Sequence, residues 1–225
     1  MAVATMKSDH QVKSDVLNEL KWDSRVDETE VGVQVKDGIV TLTGHVSAYP
    51  KKMAAREAAH RVHGVLDVVD ELSVKLPTVW ERTDEDVAKA VRHALRWDVF
   101  VPEDKITSTV SKGVVTLEGQ VNTWTQRHDA ERAVRRLTGV KSVADEIVIA
   151  PKPVDAAEIK RQIEEALERQ AEREAKRIGV NVRDGVVTLS GTVRSWAERN
   201  AVERVATYAP GVKRVDDRTT VDPYL

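Results

Sequence analysis

From residue 12 the apolar positions fall four apart: Val12, Val16 and Leu20, with polar and charged residues between them. That is one stripe of a 3.6-residue period, and it predicts an amphipathic helix. The period then shortens to two. VGVQV (31–35), an Asp-Gly pair and IVTLTGHV (39–46) follow in sequence, and Asp-Gly supplies the positive φ of a tight turn, so the segment predicts a β-hairpin. In the second strand Val40, Leu42, Gly44 and Val46 share one face, whereas Ile39, Thr41, Thr43 and His45 share the other. One face is therefore buried and one is wetter. A second helix is predicted over about 50–62, rich in alanine (Ala55, Ala58, Ala59) and ended by the glycine of His-Gly-Val. A third strand, VVDELSVKL (68–76), completes the order helix, strand, strand, helix, strand.

The whole pattern occurs three times. Gly38, Gly113 and Gly185 correspond, as do Gly44, Gly119 and Gly191, and then Gly64, Gly139 and Gly211, each set offset by 75 and then 72 residues. Val87, Val91 and Leu95, then Ile159, Ile163 and Leu167, repeat the first stripe; the second helix recurs over about 125–137 and 197–209. Ser8, Thr83 and Asp155 precede Gln11, Asp86 and Glu158 by three, the spacing of a helix capping box. The connectors PTVWER (77–82) and KPV (152–154) carry the only change in offset, and their prolines break any continuous element. Modules are thus expected over 8–76, 83–151 and 155–223. The fold class is α+β: three tandem two-layer αββαβ modules, each a small mixed sheet covered on one face by two helices. The parity of the strands leaves their order in each sheet open. Gly44 and its counterparts, inside a strand where glycine weakens pairing, are expected where a helix backbone comes close to the sheet. At about 70 residues each module buries a modest core, so contact between neighbours is expected to contribute.

Composition narrows the function classes. The chain has 225 residues, 41% hydrophobic and 32% charged, the profile of a folded, soluble protein. A net charge of −2 and a pI of about 6.3 argue against a nucleic-acid binder. With no cysteine, disulfides, thiolate metal sites and cysteine nucleophiles are excluded. MAVATMKSDHQVKSD contains no signal-peptide core, and no run approaches the ~18 apolar residues of a transmembrane segment. The expected location is cytoplasmic, with attachment at the membrane periphery open, and periplasmic only for a processed or trimmed form.

The motif hydrophobic-x-hydrophobic, [DK]-G-x-V-x-L-x-G-x-V, an aromatic three residues later (Tyr49, Trp124, Trp196) and a closing Gly-Val…Asp (Gly64-Val65…Asp70, Gly139-Val140…Asp145, Gly211-Val212…Asp217) resembles the BON domain, three times over nearly the whole chain. The resemblance implies a non-enzymatic module of bacterial envelope and osmotic-stress proteins, proposed to bind phospholipid surfaces or protein partners. A cytoplasmic branch joined to a LysM domain responds to potassium. Module three departs by carrying Arg169 where the others have Trp22 and Trp97, and by a more polar closing strand, DDRTTVD.

No Walker loop, dinucleotide fingerprint or G-x-S-x-G elbow is present, and no catalytic residue, metal site or cofactor is expected. His60 and His63 have a spacing compatible with a metal, but no third ligand is nominated, so a helix-end pair is preferred. Asp70, Asp145 and Asp217 are read as acceptors for N–H groups of the Gly-Val turn just before them, in preference to cation ligands. Tyr49, Trp124 and Trp196, opening the second helix, are candidate contacts for lipid headgroups or a partner; the competing reading has each ring cap its own core. Arg127, Arg132, Arg135 and Arg136 are candidates for the same surface, against an ordinary solvated helix given the interleaved Asp129 and Glu131. Trp80 is expected between modules one and two. The function expected is multivalent binding of a phospholipid surface or protein partner, including self-association. The rivals are a sensor of potassium or a small ligand and a self-assembling scaffold.

Overall fold

The structure, a computed structural model, describes residues 7–151, 154–170 and 177–222. The first module runs α1 (Asp9–Trp22), β1 (Val31–Lys36), β2 (Ile39–Val46), α2 (Tyr49–Arg61), β3 (Asp67–Asp70) and β4 (Ser73–Val74). The second runs α3 (Asp84–Trp97), β5 (Ile106–Ser111), β6 (Val114–Val121), α4 (Trp124–Val134) and β7 (Ser142–Ile149). The third runs α5 (Ala156–Gln170), β8 (Ile178–Arg183), β9 (Val186–Val193), α6 (Trp196–Thr207) and β10 (Arg214–Val221). This is an α+β fold in three modules, each with a small mixed sheet. The strand that repeats the glycine motif is central in every sheet, in the orders β1-β2-β3, β5-β6-β7 and β10-β9-β8. It pairs antiparallel with the strand before it and parallel with the strand after. The second helix of each module is the crossover that a parallel pair requires.

Local chemistry explains where the helices start. The Ser8 hydroxyl accepts from the Gln11 amide while the Gln11 side chain accepts from the Ser8 amide, a complete capping box. Thr83 accepts from the Asp86 amide. In module three the Asp155 carboxylate accepts from the Ala157 amide, but Glu158 is held by Arg161 and Gln162 and does not reach back. The box expected there is thus reduced to a single cap, because an arginine one turn on outcompetes a backbone N–H for the carboxylate. Helix α4 ends at Val134, earlier than the expected 137, as the Leu137 amide turns to the Val134 carbonyl in a tighter final turn. The charge-rich stretch EIKRQIEEALERQAEREAKR (158–177) is helical as far as Gln170; residues 171–176 lie outside the described residues, as do the proline of the 152–154 connector and residue 223.

Three separate cores result. In the first, Val12, Val16 and Leu20 meet Val31, Val33, Val40, Leu42 and Val46, with Ala54, Ala55, Ala58 and Ala59 of α2 fully enclosed. The second and third are built from the equivalent positions, led by Leu117 and Ile147 and by Ile159, Ile163 and Leu189. Each fully buried Val or Leu contributes about 1.5–3 kcal/mol by leaving water. The alternate positions of the central strands point away from the helices and leave one face of every sheet uncovered.

The strand glycines serve a different approach from the one expected. Gly119 has φ 140°, and a Cβ there would fall on the carbonyl oxygen of Lys105; for Gly44 and Gly191 the obstacles are the carbonyls of Glu30 and Arg177. The crowding backbone is therefore the chain entering the hairpin's first strand. It is not the helix, and Gly44 itself is exposed. A positive φ with a carbonyl this close needs a residue without Cβ.

Gly119→Ala is accordingly expected to lower unfolding free energy by about 2–3 kcal/mol, since both strain and a backbone clash oppose it. Gly32→Ala, facing only the mobile Thr43 hydroxyl at an ordinary φ, is expected to lose less than about 1 kcal/mol. Urea unfolding followed by tryptophan fluorescence measures both.

Candidate functional site

The first residue of each second helix is the repeated aromatic, and each aromatic reaches into a different module. Tyr49 of module one is half-buried; its hydroxyl lies against the Val143 backbone of module two, near Glu131 and Arg135. Burial, with Glu131 close by, pushes its phenol up from 10.0. Trp124 of module two packs on its own core and on the core of module three. Trp196 of module three stacks on His60 of module one, ring centroids 4.3 Å apart and planes 5° from parallel. Tyr49, Trp124 and Trp196 thus pass from one to two, two to three and three to one, closing a ring of three by repetition of one heterologous contact. Two of the receiving positions correspond as well: His60 in the last turn of α2 is equivalent to Arg135, which caps the end of α4.

A second repeated unit, an aspartate paired with a cation of the second helix, lies against the ring in modules two and three. Asp145 pairs with Arg127 at 2.7 Å and Asp217 with Arg199 at 2.7 Å, and in module one Lys52 stands 3.4 Å from Asp70. The Arg127 and Arg199 guanidiniums lie over the Trp124 and Trp196 rings, 5.1 and 4.8 Å from the ring centroids. The same carboxylates accept from amides two residues onward, those of Leu72, Ile147 and Thr219. The partner is therefore the amide two residues on, in the same strand for Asp145 and Asp217 and just after it for Asp70, and not the Gly-Val turn before it. Burial alone would push the Asp217 carboxyl up, but the bonds from Thr219 and Arg199 prevail and hold it below its ordinary value.

The arginine group of α4 is largely neutralised. Besides Arg127–Asp145, Arg132 pairs with Asp129 at 2.8 Å and Arg135 with Glu131 at 3.7 Å. Arg136 is exposed and, among the described residues, makes no ion pair. Its counterpart Arg61 binds Glu19 and Asp23, whereas module two has Ala94 in the place of Glu19. Arg136 lines a cleft of about 230 Å³ between modules one and two, opposite Trp80, Ala48 and Leu76. His60 and His63 do not form a metal pair, since His60 is committed to Trp196; among the described residues no group of three His, Cys, Asp or Glu is placed to hold a metal ion.

Other apolar side chains do face outward. Trp22 is 85% exposed and Trp97 76%, and the turn after α3 presents Val99 (88%) and Phe100 (65%). Sequence reasoning passed over them, although the signal was present: Trp22 and Trp97 lie two residues beyond the last core position, off the buried stripe. Among the described residues no helix is long and apolar enough to cross a membrane.

Fold and repeated contacts together define a tandem array of small α+β modules. Residues 8–75, 83–151 and 155–223 each match the BON domain, and the chain belongs to that family. It is similar to the osmotically inducible protein Y of Escherichia coli, 26% identical over 149 residues that cover 64% of this chain and 74% of that protein. It is also similar to an uncharacterised protein from the gshII 5′ region of Anaplasma centrale, 33% identical over 49% of this chain and 77% of the other. Among solved structures, CdsD, a structural protein of the type III secretion system of Chlamydia trachomatis, aligns over 93% of this chain and 91% of its own at 14% identity. Its TM-score of 0.27 is too low to support any argument.

Two outcomes are expected. Trp124→Ala, which strips apolar area from two cores, lowers unfolding free energy by about 3 kcal/mol; Tyr49→Phe, which loses one hydroxyl, costs about 1 kcal/mol. Urea titration ranks the two. The second concerns pH. Burial, aided by the positive charge of Arg56, pushes the His60 imidazole below its ordinary 6.5; Asp67 opposes this and Arg199 adds to it, without reversing the direction. The folded state disfavours the charged ring, so full stability is present above pH 6.5 and declines as pH falls through 6.5 toward the depressed folded value. His60→Phe keeps a ring against Trp196 and is expected to flatten melting temperature between pH 7.5 and 5, as thermal unfolding across that range will show.

Proposed function

We propose that the protein is a non-catalytic, stress-related member of the family that binds a phospholipid surface through several modules at once. The supporting observation is the placement of aromatics. Tyr49, Trp124 and Trp196 are engaged between modules, whereas Trp22, Trp97, Val99 and Phe100 face water at the equivalent ends of α1 and α3. Exposed tryptophans with apolar neighbours suit the layer between headgroups and acyl chains. Linking two weak contacts in one rigid body raises occupancy of the second through effective concentration. The stress role rests on the similarity to an osmotically inducible protein. A cytoplasmic protein at the membrane periphery fits this reading, and Tyr49, Trp124 and Trp196 then act on the surface indirectly, by holding the modules together. Acidic neighbours such as Asp98 and Glu103 weaken attraction to anionic lipid, so binding depends on insertion more than on charge.

Co-sedimentation of the full chain with phosphatidylcholine and phosphatidylglycerol vesicles tests this. Wild-type protein is expected in the pellet, and Trp97→Ser with Phe100→Ser is expected to reduce the pelleted fraction at least tenfold with the melting temperature unchanged. Failure of the wild-type chain to pellet with either vesicle overturns the lipid reading.

A further inference from the structure

Modules one and two close their hairpin turns with a carboxylate from the first helix. The Asp9 oxygens accept from the amides of Asp37 (2.9 Å) and Gly38 (3.0 Å), and those of Asp84 from Lys112 (2.7 Å) and Gly113 (2.9 Å). Each turn is thus a two-pronged donor for one oxyanion. Module three folds the same turn, with φ 52° at Asp184 and 79° at Gly185 against 52° and 75° at Asp37 and Gly38. Its first helical residue, however, is Ala156. Among the described residues no side chain accepts from the Asp184 or Gly185 amide.

Where the carboxylate is missing, the surroundings have changed sign. A groove of about 920 Å³ runs from Ala156 and Asp184 across the uncovered face of the third sheet, past Arg183, Arg214 and Arg218. Strand register sets Arg183 and Arg214 on either side of Val186, in the row next to the turn; at ordinary strand spacing they stand about 10 Å apart. The positions equivalent to these three arginines hold Lys36, Asp67 and Glu71 in module one, and Ser111, Ser142 and Glu146 in module two. Two acids lie in the groove as well: Asp184, and Asp216, which is bound by Arg218 at 2.7 Å. Arg183 and Arg214 make no ion pair among the described residues.

We propose that module three binds a phosphate group at this turn, the Asp184 and Gly185 amides taking two of its oxygens and Arg183 and Arg214 flanking it. The geometric precedent lies within the molecule: the same pair of amides holds a two-oxygen anion in each of the other modules. Paired backbone donors in a turn favour anions, and guanidiniums match phosphate oxygens in shape and charge. Phosphate is the fitting oxyanion because its extra negative charge and third oxygen use the arginines that a carboxylate partner in modules one and two does without. The source is either a soluble phosphate ester or a lipid headgroup, which share this chemistry.

The test is a ¹⁵N–¹H spectrum of the full chain titrated with inorganic phosphate at constant ionic strength, and in parallel with phosphatidic acid vesicles. Phosphate is expected to shift the Asp184 and Gly185 amides while those of Asp37, Gly38, Lys112 and Gly113 stay fixed. Ala156→Asp restores the carboxylate that the other two modules carry, so it is expected to fold, with an unchanged or higher melting temperature, and to weaken the response at least tenfold. Arg214→Asp is expected to weaken it similarly. A response to vesicles alone, lost in Ala156→Asp, assigns the phosphate to a headgroup. The proposal is overturned if neither probe moves Asp184 and Gly185, if all three turns respond alike, or if Ala156→Asp responds as wild type does.

Discussion

Everything above the level of a single module depends on an aromatic ring leaving the module that bears it. A unit of about 70 residues encloses a modest core, and the largest side chain near the end of the central strand is spent on a neighbour. In an open row of three, one such ring and one receiving helix would stay in water. Closure through Trp196 and His60 leaves none of the three unmatched. The last module therefore holds the first, across the whole length of the chain.

That arrangement constrains how the molecule can grip anything else. Rings engaged between modules are not free to enter a bilayer, so the proposed lipid contact falls to other exposed residues, those at the far ends of α1 and α3. The repeated Asp–cation–aromatic unit links the two roles. Arg199, held by Asp217 on β10 and lying over Trp196, ties the first turn of α6 to its own sheet and aims the ring at module one. A contact between modules is in this way set by bonds inside one module.

Repetition supplies the frame, and departures from it supply individuality. Arg136 lacks one of the two acids that hold its counterpart Arg61, since module two has Ala94 where module one has Glu19. Ala156 likewise opens a turn that Asp9 and Asp84 close. The third module also turns an acidic or neutral sheet face into one with three arginines. These changes are confined to side chains on a backbone that barely differs, with turn φ angles agreeing to a few degrees.

Much of the module was legible from residue order, because it is decided within single elements. The stripe Val12, Val16, Leu20 states which helix face is buried, Ser8 states where the helix begins, and Asp37-Gly38 states where the hairpin turns. The pairs Arg132–Asp129 and Arg135–Glu131 were equally accessible, lying three and four residues apart on one helix. Strand order was not, since alternation says which face a residue occupies and nothing about which strand lies beside it. Nor was the obstacle at Gly44, which is the carbonyl of Glu30, fourteen residues earlier, brought close by the hairpin's pairing. The fate of Tyr49, Trp124 and Trp196 was the widest gap. A ring at a helix start can cover its own core or a neighbour's, and the choice rests on distances between bodies joined by short connectors. Sequence by itself determined the repeated unit and its buried faces, because local periodicity encodes them; only the tertiary structure decided that three units close on one another, because that depends on how far each ring must reach.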